Sequence, residues 1–433
     1  MASLSNNIAN KFNSFFDNGV IDTLARANGY LTRTSIKISP SNFILSFIMC
    51  CNSAKYTYAQ WAVEIGALIG DTVSKQSVFG RMGVGAYNFT KKALEHILLA
   101  KTGLKSDPSL FSGFNKVLVQ DSTTLCLPDC LSEDFPGSTS NGVKKAVARI
   151  QTVIDLKPMQ FVDFDLTNYS CNDQSACSDI LKHVGEGDLV IRDLGYAKLK
   201  VFDAITGKGA YFLSRLKFGI HIFELDGTPI DVKSLLDRAM PIDIDVLVGK
   251  KDKVPVRLVV VPLPDEIADE RVRKSHCNRD KKMNPGKLHD KWSRFNVYVN
   301  NVPRSVWGVT QVVKAYCLRW KIETIFKSWK SGLNMASMLQ CIKNKHRVKT
   351  TIMLMLIHIT IFTLHVFIPY GIKIKNEKGK DLSVIKCMTF LGKHALKILE
   401  ADEGYLIQLL EKHCSYEKRY GRINMEQLIN EIT

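Results

Sequence analysis

The chain has 433 residues, and its 59 Lys and Arg against 42 Asp and Glu give a formal net charge of +17 at pH 7. This excess of cations indicates a polyanionic partner, most simply DNA or RNA, with an anionic membrane surface as the competing interpretation. A hydrophobic content of 45% and a charged content of 23% are typical of a globular protein and exclude a largely disordered chain. Eleven cysteines without a C-x-x-C pair favour reduced thiols inside a cell, and we expect no N-terminal secretion signal.

Residues 1–105 are predicted to be a helical, DNA-binding N-terminal region. Pro40, between two serines, is typical of a helix start. Further along, a helix, a turn at Gly70 and a second helix capped by Ser74 are expected. Lys75 and its neighbours on the second helix could then contact DNA. Simple scaffolding by a helical pair is the alternative and carries equal weight.

Residues 106–217 mix short apolar strands with helices, which predicts an α/β sheet. KVLVQDST is interpreted as a strand that ends in Asp121, and two further strands follow it as a meander. DLVIRDLGY is a fourth strand that ends in Asp193, and a helix and a fifth strand come after it. If the first and fourth strands lie side by side and parallel, both acids leave the carboxyl edge, where open α/β sheets place their sites.

Residues 218–303 interrupt this pattern and are predicted to be a β-rich insertion. PVRLVVVPLP and FNVYVNNVP are typical of strands, and the basic stretch 271–294 between them is interpreted as a loop. This loop is either ordinary solvated surface or a surface that follows DNA. In the second interpretation, Trp292 or Phe295 is available to stack on a base.

Residues 316–333, YCLRWKIETIFKSWKSGL, are predicted to form one helix with two distinct faces. One face is a compact apolar stripe that would seat the helix in a core. The other face sets one acid among cations and a phenol: Glu323 with Tyr316, Arg319 and Lys330. Such a face is often only a solvated helix surface. It also suits a phosphodiester, if a metal ion binds to the carboxylate.

The last two segments are a helix-bearing stretch, 304–335, and a helical C-terminal region, 336–433, with a possible role in dimerisation. Residues 352–368 form a mostly apolar run at the short limit for a membrane span. His358 and other polar residues interrupt that run. A buried core or dimer helix is therefore the preferred interpretation, and we expect no membrane association.

Asp121, Asp193 and Glu323 are the candidate catalytic acids. Each of the two aspartates ends an apolar strand, and the polar face of the helix can turn its glutamate towards the same edge. Three carboxylates at one point repel one another unless divalent cations are present. Hard oxygen ligands suit Mg²⁺ or Mn²⁺, and two ions about 4 Å apart can activate a water or a 3′-hydroxyl for phosphoryl transfer.

With these residues, the sequence resembles the DDE transposases of bacterial insertion sequences, specifically the group with a Tyr-Arg-Glu-Lys signature, Y-x2-R-x3-E-x6-K. The signature is met by Tyr316, Arg319, Glu323 and Lys330. DST at 121–123 and RDLGY at 192–196 match the first and second Asp motifs of the family. The recognisable match runs from about 116 to 335.

The resemblance implies an α/β, RNase H-like catalytic core with a β-rich insertion, flanked by helical N- and C-terminal regions. It implies cut-and-paste transposition: hydrolysis at the ends of a DNA element, followed by attack of the freed 3′-hydroxyl on target DNA. Asp121, Asp193 and Glu323 would be the ligands of two Mg²⁺ or Mn²⁺ ions. The partners implied are double-stranded DNA, as terminal inverted repeats and target, and a second copy of the chain. The expected location is the bacterial cytoplasm, in association with the nucleoid.

The resemblance also implies which side chains hold DNA beside the cut. They are Tyr316, Arg319, Lys330 and, less directly, Arg215. Lys327 is a further candidate for DNA binding, because it is another cation on the same helix as Glu323. One departure from the family concerns a tryptophan that some members use to hold a flipped base. Asn296 occupies the nearest position here, so the sequence leaves open whether a hairpin intermediate forms at the DNA ends.

Three functions remain open from the sequence. The first is an active transposase. The second is a DNA-binding protein that descends from a transposase and no longer cuts, against which the intact set of three acids argues. The third is a metal-dependent nuclease of the same fold without strand transfer.

Overall fold

The computed structural model describes residues 18–33, 37–50, 57–99, 109–238, 240–277, 286–333 and 335–416. Within these ranges ten strands form one mixed sheet, with helices on both of its faces. The strands are β1 (Val117–Leu127), β2 (Pro136–Ser140), β3 (Val143–Asp155), β4 (Gln160–Asn168), β5 (Leu189–Arg192), β6 (Tyr211–Arg215), β7 (Ile222–Phe223), β8 (Ile242–Val248), β9 (Val254–Pro262) and β10 (Phe295–Asn300).

The helices precede, interrupt and follow this sheet. Before it come α1 (Asn18–Ala27), α2 (Pro40–Cys50), α3 (Tyr58–Ile69), α4 (Lys75–Arg81) and α5 (Val84–Leu99). Between its strands lie α6 (Leu199–Gly207), α7 (Val232–Leu235), α8 (Asp265–Cys277) and α9 (Lys287–Ser293). After it come α10 (Val309–Leu318), α11 (Trp320–Gly332), α12 (Met335–Leu339), α13 (Lys345–Phe362), α14 (Ile368–Lys378), α15 (Val384–Glu400) and α16 (Glu403–Cys414).

The sheet order is β2-β3-β1-β5-β6-β10-β9-β8-β7, with β4 paired to β3. β1, β3 and β4 form the predicted antiparallel meander. β5 lies parallel to β1, as predicted, and β6 lies parallel to β5. All four residues of β5 are buried, which is typical of a central parallel strand covered on both faces.

The strands between residues 218 and 303 continue this same sheet. β10 pairs antiparallel with β6, and β9, β8 and β7 follow outward from β10. The described part of this segment contains these four strands together with α7, α8 and α9. Its strands add to the central sheet through main-chain hydrogen bonds.

Three local predictions were wrong. β1 does not end at Asp121 but continues to Leu127, because the 13-residue β3 still supplies antiparallel hydrogen bonds there. The basic stretch 271–294 is not a plain loop: its ends belong to α8 and α9, while residues 278–285 lie outside the described residues. The helix predicted at 316–333 is two helices, α10 and α11, which meet at Arg319.

Two groups of buried apolar side chains cover the two faces of the sheet. The larger group joins α1–α5 and α10–α16 to one face. The smaller group lies on the other face, among α6, α7 and the strands of residues 218–303. The N-terminal and C-terminal helices therefore share one core.

α13 is the centre of the larger core. The continuous helical stretch Lys345–Lys378 contains a window of 18 residues with a mean hydropathy of 2.2, which is long and apolar enough to cross a membrane. However, 89% of its most apolar window is buried inside the protein. The interpretation of residues 352–368 as a buried core helix is thus confirmed.

Candidate active site

The positions of Asp121 and Asp193 follow from the pairing of two parallel strands. Gln120 on β1 lies opposite Arg192, the last residue of β5. Asp121 directly follows Gln120, and Asp193 directly follows Arg192. The two aspartates are therefore neighbours at the point where β5 ends and β1 continues without it. Although β1 itself continues, this point is a carboxyl edge of the parallel part of the sheet.

Glu323 is carried by α11, whose apolar side is fixed against both the sheet and a second helix. Trp329 is fully buried, with its ring 5.6 Å from Phe161 and 5.8 Å from Phe164, measured between centroids. At its C-terminal end, α11 approaches α15 at Gly332, where an added Cβ would lie 3.0 Å from Met388 Cβ. This packing holds Glu323 over the edge of the sheet.

The three acids converge on one guanidinium, that of Arg319. Glu323 Oε1 lies 3.0 Å from Arg319 Nη2, and Asp193 Oδ1 lies 3.3 Å from the same nitrogen. Asp121 Oδ2 lies 3.8 Å from Arg319 Nη1. The structure therefore brings the three predicted acids to one place, although they lie far apart in the chain. Asp121 lies on β1, Asp193 directly follows β5, and Glu323 lies on α11.

The acids line a pocket of about 460 Å³ that also contains cations. Its lining residues are Asp121, Ser122, Asp193, Arg319, Glu323, Phe326, Lys327 and Lys330. Lys327 and Lys330 are exposed residues. The ammonium group of Lys330 is nevertheless partly buried, which lowers its pKa. The pocket thus combines carboxylates with exposed positive charge, a combination that suits a phosphodiester.

Asp121 is the most buried of the three carboxylates. Its side chain is 15% exposed, against 36% for Asp193 and 42% for Glu323. Burial raises the pKa of Asp121 to about 7, although the backbone N–H of Ser122 and the charge of Arg319 act in the opposite direction. The other two acids contribute to the increase, as expected for like charges close together.

Arg319 lines the pocket, and the ring of Tyr316 lies next to its guanidinium, with 5.6 Å between the ring centroid and Arg319 Cζ. Burial by itself lowers the pKa of Arg319, but Tyr316 and the three acids raise it above its ordinary value. Tyr316 is buried, which raises its pKa to about 12, and its ring centroid lies 5.2 Å from that of Tyr298. Tyr316 therefore supports Arg319 from behind and is not part of the open surface.

The remaining predicted residues lie outside the pocket. Arg215 ends β6, opposite Tyr298, and its charge partly opposes the increase that burial causes in the pKa of Tyr316. Trp292 is buried, with its ring centroid 5.7 Å from that of Phe218, so its ring is not presented at the surface of the structure described here. Phe295 is half-buried at the start of β10.

A polar network beside the acids was not foreseen from the sequence. Ser122 Oγ donates to Asp173 Oδ1 at 2.7 Å, and Arg149 Nη1 donates to both groups, at 2.8 and 3.1 Å. Asp173 also packs against Gly195, where an added Cβ would lie 3.0 Å from Asp173 Oδ2. Asp173 therefore links the segment after Asp121 to the segment after Asp193. Its position in the irregular stretch 169–175 gave no sequence signal for this role.

The donor set of the pocket fits divalent cations. Two aspartates and one glutamate offer the hard oxygen ligands that Mg²⁺ and Mn²⁺ prefer, and two of the three carboxylates are open to solvent. A nearby cation would also offset the energetic cost of keeping the buried Asp121 carboxylate charged. In the part of the chain that is described, no three His, Cys, Asp or Glu side chains are already grouped closely enough to hold an ion.

Comparison with known proteins identifies the class. The chain matches the family described as "Transposase DDE domain" over residues 112–361, which is more than half of its length. The chain therefore belongs to the DDE transposases, and it is an enzyme. Proteins of this family depend in general on divalent metal ions and act on DNA.

Similar proteins extend the match to nearly the whole chain. The transposase for insertion sequence element IS231B of Bacillus thuringiensis subsp. berliner is 26% identical over 437 residues, which covers 93% of this chain and 90% of the relative. The transposase for IS1151 of Clostridium perfringens is 22% identical over 435 residues, with 94% and 90% covered. The resemblance to transposases of insertion sequences is thus confirmed.

Among solved structures, piggyBac transposase in a synaptic complex with hairpin DNA is similar. The TM-score is 0.45 at 10% identity, covering 97% of this chain and 87% of that chain. A likeness of this strength supports no argument about the site.

Proposed function

We propose that this transposase cuts a DNA element from its flanks and inserts it elsewhere, with Asp121, Asp193 and Glu323 as the ligands of two divalent cations. The observation that carries the proposal is the convergence of these acids within 4 Å of one guanidinium, in a pocket with Lys327 and Lys330. When bound, the cations supply activation of a water or 3′-hydroxyl and stabilisation of the leaving oxygen.

The bond changes are a hydrolysis followed by a transesterification. Hydrolysis breaks the bond between phosphorus and the 3′-oxygen at the end of the element and leaves a free 3′-hydroxyl. The oxygen of that hydroxyl then attacks a phosphorus of the target strand, whose own 3′-oxygen leaves. Both steps move negative charge at a phosphate, which explains why carboxylates and cations are needed at one site.

The chain's own residues hold and orient the DNA strand. Lys327 and Lys330 lie on successive turns of α11 and place positive charge along the phosphate backbone. Arg319 can bind a phosphate through two parallel N–H bonds, and Tyr316 supports it from the protein interior. Arg215 contributes positive charge next to Tyr316.

The strand order β4-β3-β1-β5-β6 supports an RNase H-like core. In chain order, the antiparallel strands β1, β3 and β4 are followed by β5 and β6, which run parallel to β1. Asp121 lies on β1, and Asp193 directly follows β5. The strands of residues 218–303 would then be the insertion of this core. We further propose that the protein works as a homodimer on two terminal repeats, in the cytoplasm and close to the nucleoid.

The test uses a supercoiled plasmid that carries the terminal repeats flanking the reading frame, incubated with the protein and Mg²⁺. Release of the element and its appearance in a second plasmid are expected. Unchanged DNA would favour a DNA-binding protein without cleavage, and random nicking would favour a nuclease without strand transfer. Either result would overturn the proposal.

A further inference from the structure

The placement of Arg319 is unusual for a residue that only contacts DNA. It lies between α10 and α11, and its side chain is 7% exposed. Its guanidinium is within 4 Å of carboxylates from β1, from the segment after β5 and from α11. The positive group thus sits among the acids, whereas a residue that only reads the DNA backbone would point away from them.

A divalent cation bound by the same carboxylate oxygens would lie next to this guanidinium. Two positive groups at such short separation repel one another strongly in a partly buried site. Since each acid is attracted to whichever cation is present, the guanidinium and the metal compete for the same oxygens.

We propose that Arg319 is the internal counter-cation of the metal-free site and that divalent cations bind only by displacing its guanidinium from the three acids. This inference rests on the proposed function, because it assumes that these acids are the metal ligands. Arg319 keeps the carboxylates together before the metal arrives, and it lowers the affinity of the free protein for metal. The displaced guanidinium then becomes available for a phosphate of the DNA strand.

Lys330 provides a matched comparison within the same pocket. It lines the pocket with the acids and is exposed, but it forms no ion pair with any of them within the described residues. Removing Lys330 takes away one positive charge from the site without removing a group that the acids already hold. Comparison of variants at Arg319 and Lys330 therefore distinguishes competition for the carboxylate oxygens from the effect of a change in net charge on metal affinity.

The experiment measures binding of Mn²⁺ to the full-length protein without DNA, by isothermal titration calorimetry, and the melting temperature with and without Mg²⁺. The variants are Arg319→Gln, Arg319→Lys, Lys330→Gln and Glu323→Gln. We expect Arg319→Gln to bind Mn²⁺ about tenfold more tightly than the parent protein. It should melt at a lower temperature without metal and gain more on addition of Mg²⁺. Arg319→Lys keeps the charge, so its affinity for Mn²⁺ should lie between those of the parent protein and Arg319→Gln.

Lys330→Gln should change the affinity for Mn²⁺ by less than about threefold. Unchanged or weaker binding by Arg319→Gln would overturn the inference, as would an equal gain in affinity for Lys330→Gln. If Arg319→Gln does not fold, Arg319→Lys decides, because affinity at or below that of the parent protein contradicts competition.

Glu323→Gln separates this inference from the proposed function. If it weakens Mn²⁺ binding while Arg319→Gln fails to strengthen it, the metal site stands and only the role of Arg319 is wrong. If Glu323→Gln leaves Mn²⁺ binding unchanged, the assignment of the acids as metal ligands has failed, and the inference fails with it.

Discussion

In the helical layer around α13, two buried side chains hydrogen-bond directly to other helices, whereas at the acidic edge of the sheet one guanidinium is shared by three carboxylates. Trp61 Nε1 donates to Ser46 Oγ at 2.7 Å, and His358 Nε2 donates to the carbonyl oxygen of Ile44 at 2.8 Å. These contacts need nothing from outside the protein. They fasten the helices of residues 37–50, 57–99 and 345–378 to one another.

The acidic edge keeps negative charge in excess of its internal cation. Asp121, Asp193 and Glu323 face Arg319 alone in the ion pairs that the structure describes for them. Carboxylates held together in this way are costly for folding, because like charges repel and burial penalises them. The comparison teaches that the helical layer contributes stability, whereas the acidic edge keeps three carboxylates together at a cost in stability.

The largest expected effect is on catalysis, at Glu323. Glu323→Gln should reduce cleavage of the terminal repeat by about a thousandfold or more, because it removes the charge of a carboxylate that we propose to be a metal ligand. Binding to the repeat should persist, since the cations of the pocket remain. Plasmid cleavage and gel-shift titration measure the two properties, and normal cutting by this variant would refute the role of Glu323.

The largest effect on stability is expected in the helical layer. Trp61 is fully buried against Phe43 and Phe47, and Trp61→Ala should lower the free energy of unfolding by about 4 kcal/mol. Val63, on the same helix, is 69% exposed, so Val63→Ala should change the free energy of unfolding by less than about 0.5 kcal/mol. Denaturant unfolding of both variants checks this, and equal losses would contradict the packing described.

The pH dependence of the helical layer depends on His358. Burial lowers its pKa to about 4, and its Nδ1 has no hydrogen-bond partner among the described residues, so a second proton would be unpaired. An unfolded chain takes up that proton below about pH 6.5, while the folded protein resists until about pH 4. Stability should therefore fall by roughly 3 kcal/mol as the pH decreases across this window.

His358→Gln is the matched control for this titration. Glutamine can donate to Ile44 but does not ionise, so its unfolding free energy should lack this part of the decrease. Denaturant midpoints of both proteins between pH 4.5 and 7.5 measure the difference. Parallel curves for the two proteins would exclude His358 as the cause.

A smaller effect is expected from Asp173, which braces the acidic edge. Asp173→Asn removes the charge that faces Arg149 and weakens the link to Ser122, so cleavage should fall by about tenfold. Stability should change by no more than about 1 kcal/mol. Asp129→Asn, which breaks an exposed pair with Lys145, is the control and should leave cleavage unchanged. Equal activities of the two variants would show that Asp173 does not position the acids.

The smallest effect is expected at Lys330. Lys330→Ala should weaken binding to the terminal repeat a few-fold and reduce the slope of its salt dependence by about one, because about one phosphate contact is lost. Binding measured at several salt concentrations gives this slope. An unchanged slope would remove Lys330 from the DNA interface.

The sequence predicted the elements that carry the site better than it predicted their ends. Apolar runs identified β1 and β5, and the helical spacing placed Glu323, Lys327 and Lys330 towards one pocket. The end of β1 was missed because its length is set by β3, a strand elsewhere in the chain. The break at Arg319 was missed because the pattern of apolar residues continues across it.

The sequence by itself determined the transposase family to which the chain belongs, and it singled out the three candidate acids and the cations that accompany Glu323. The tertiary structure decided how close those groups come to one another. Only the folded protein shows that Arg319 lies among the acids, that Tyr316 and Trp292 are buried, and that Asp173 joins two distant segments. The physical reason is that contacts between remote segments depend on strand register and helix packing, which local residue patterns do not encode.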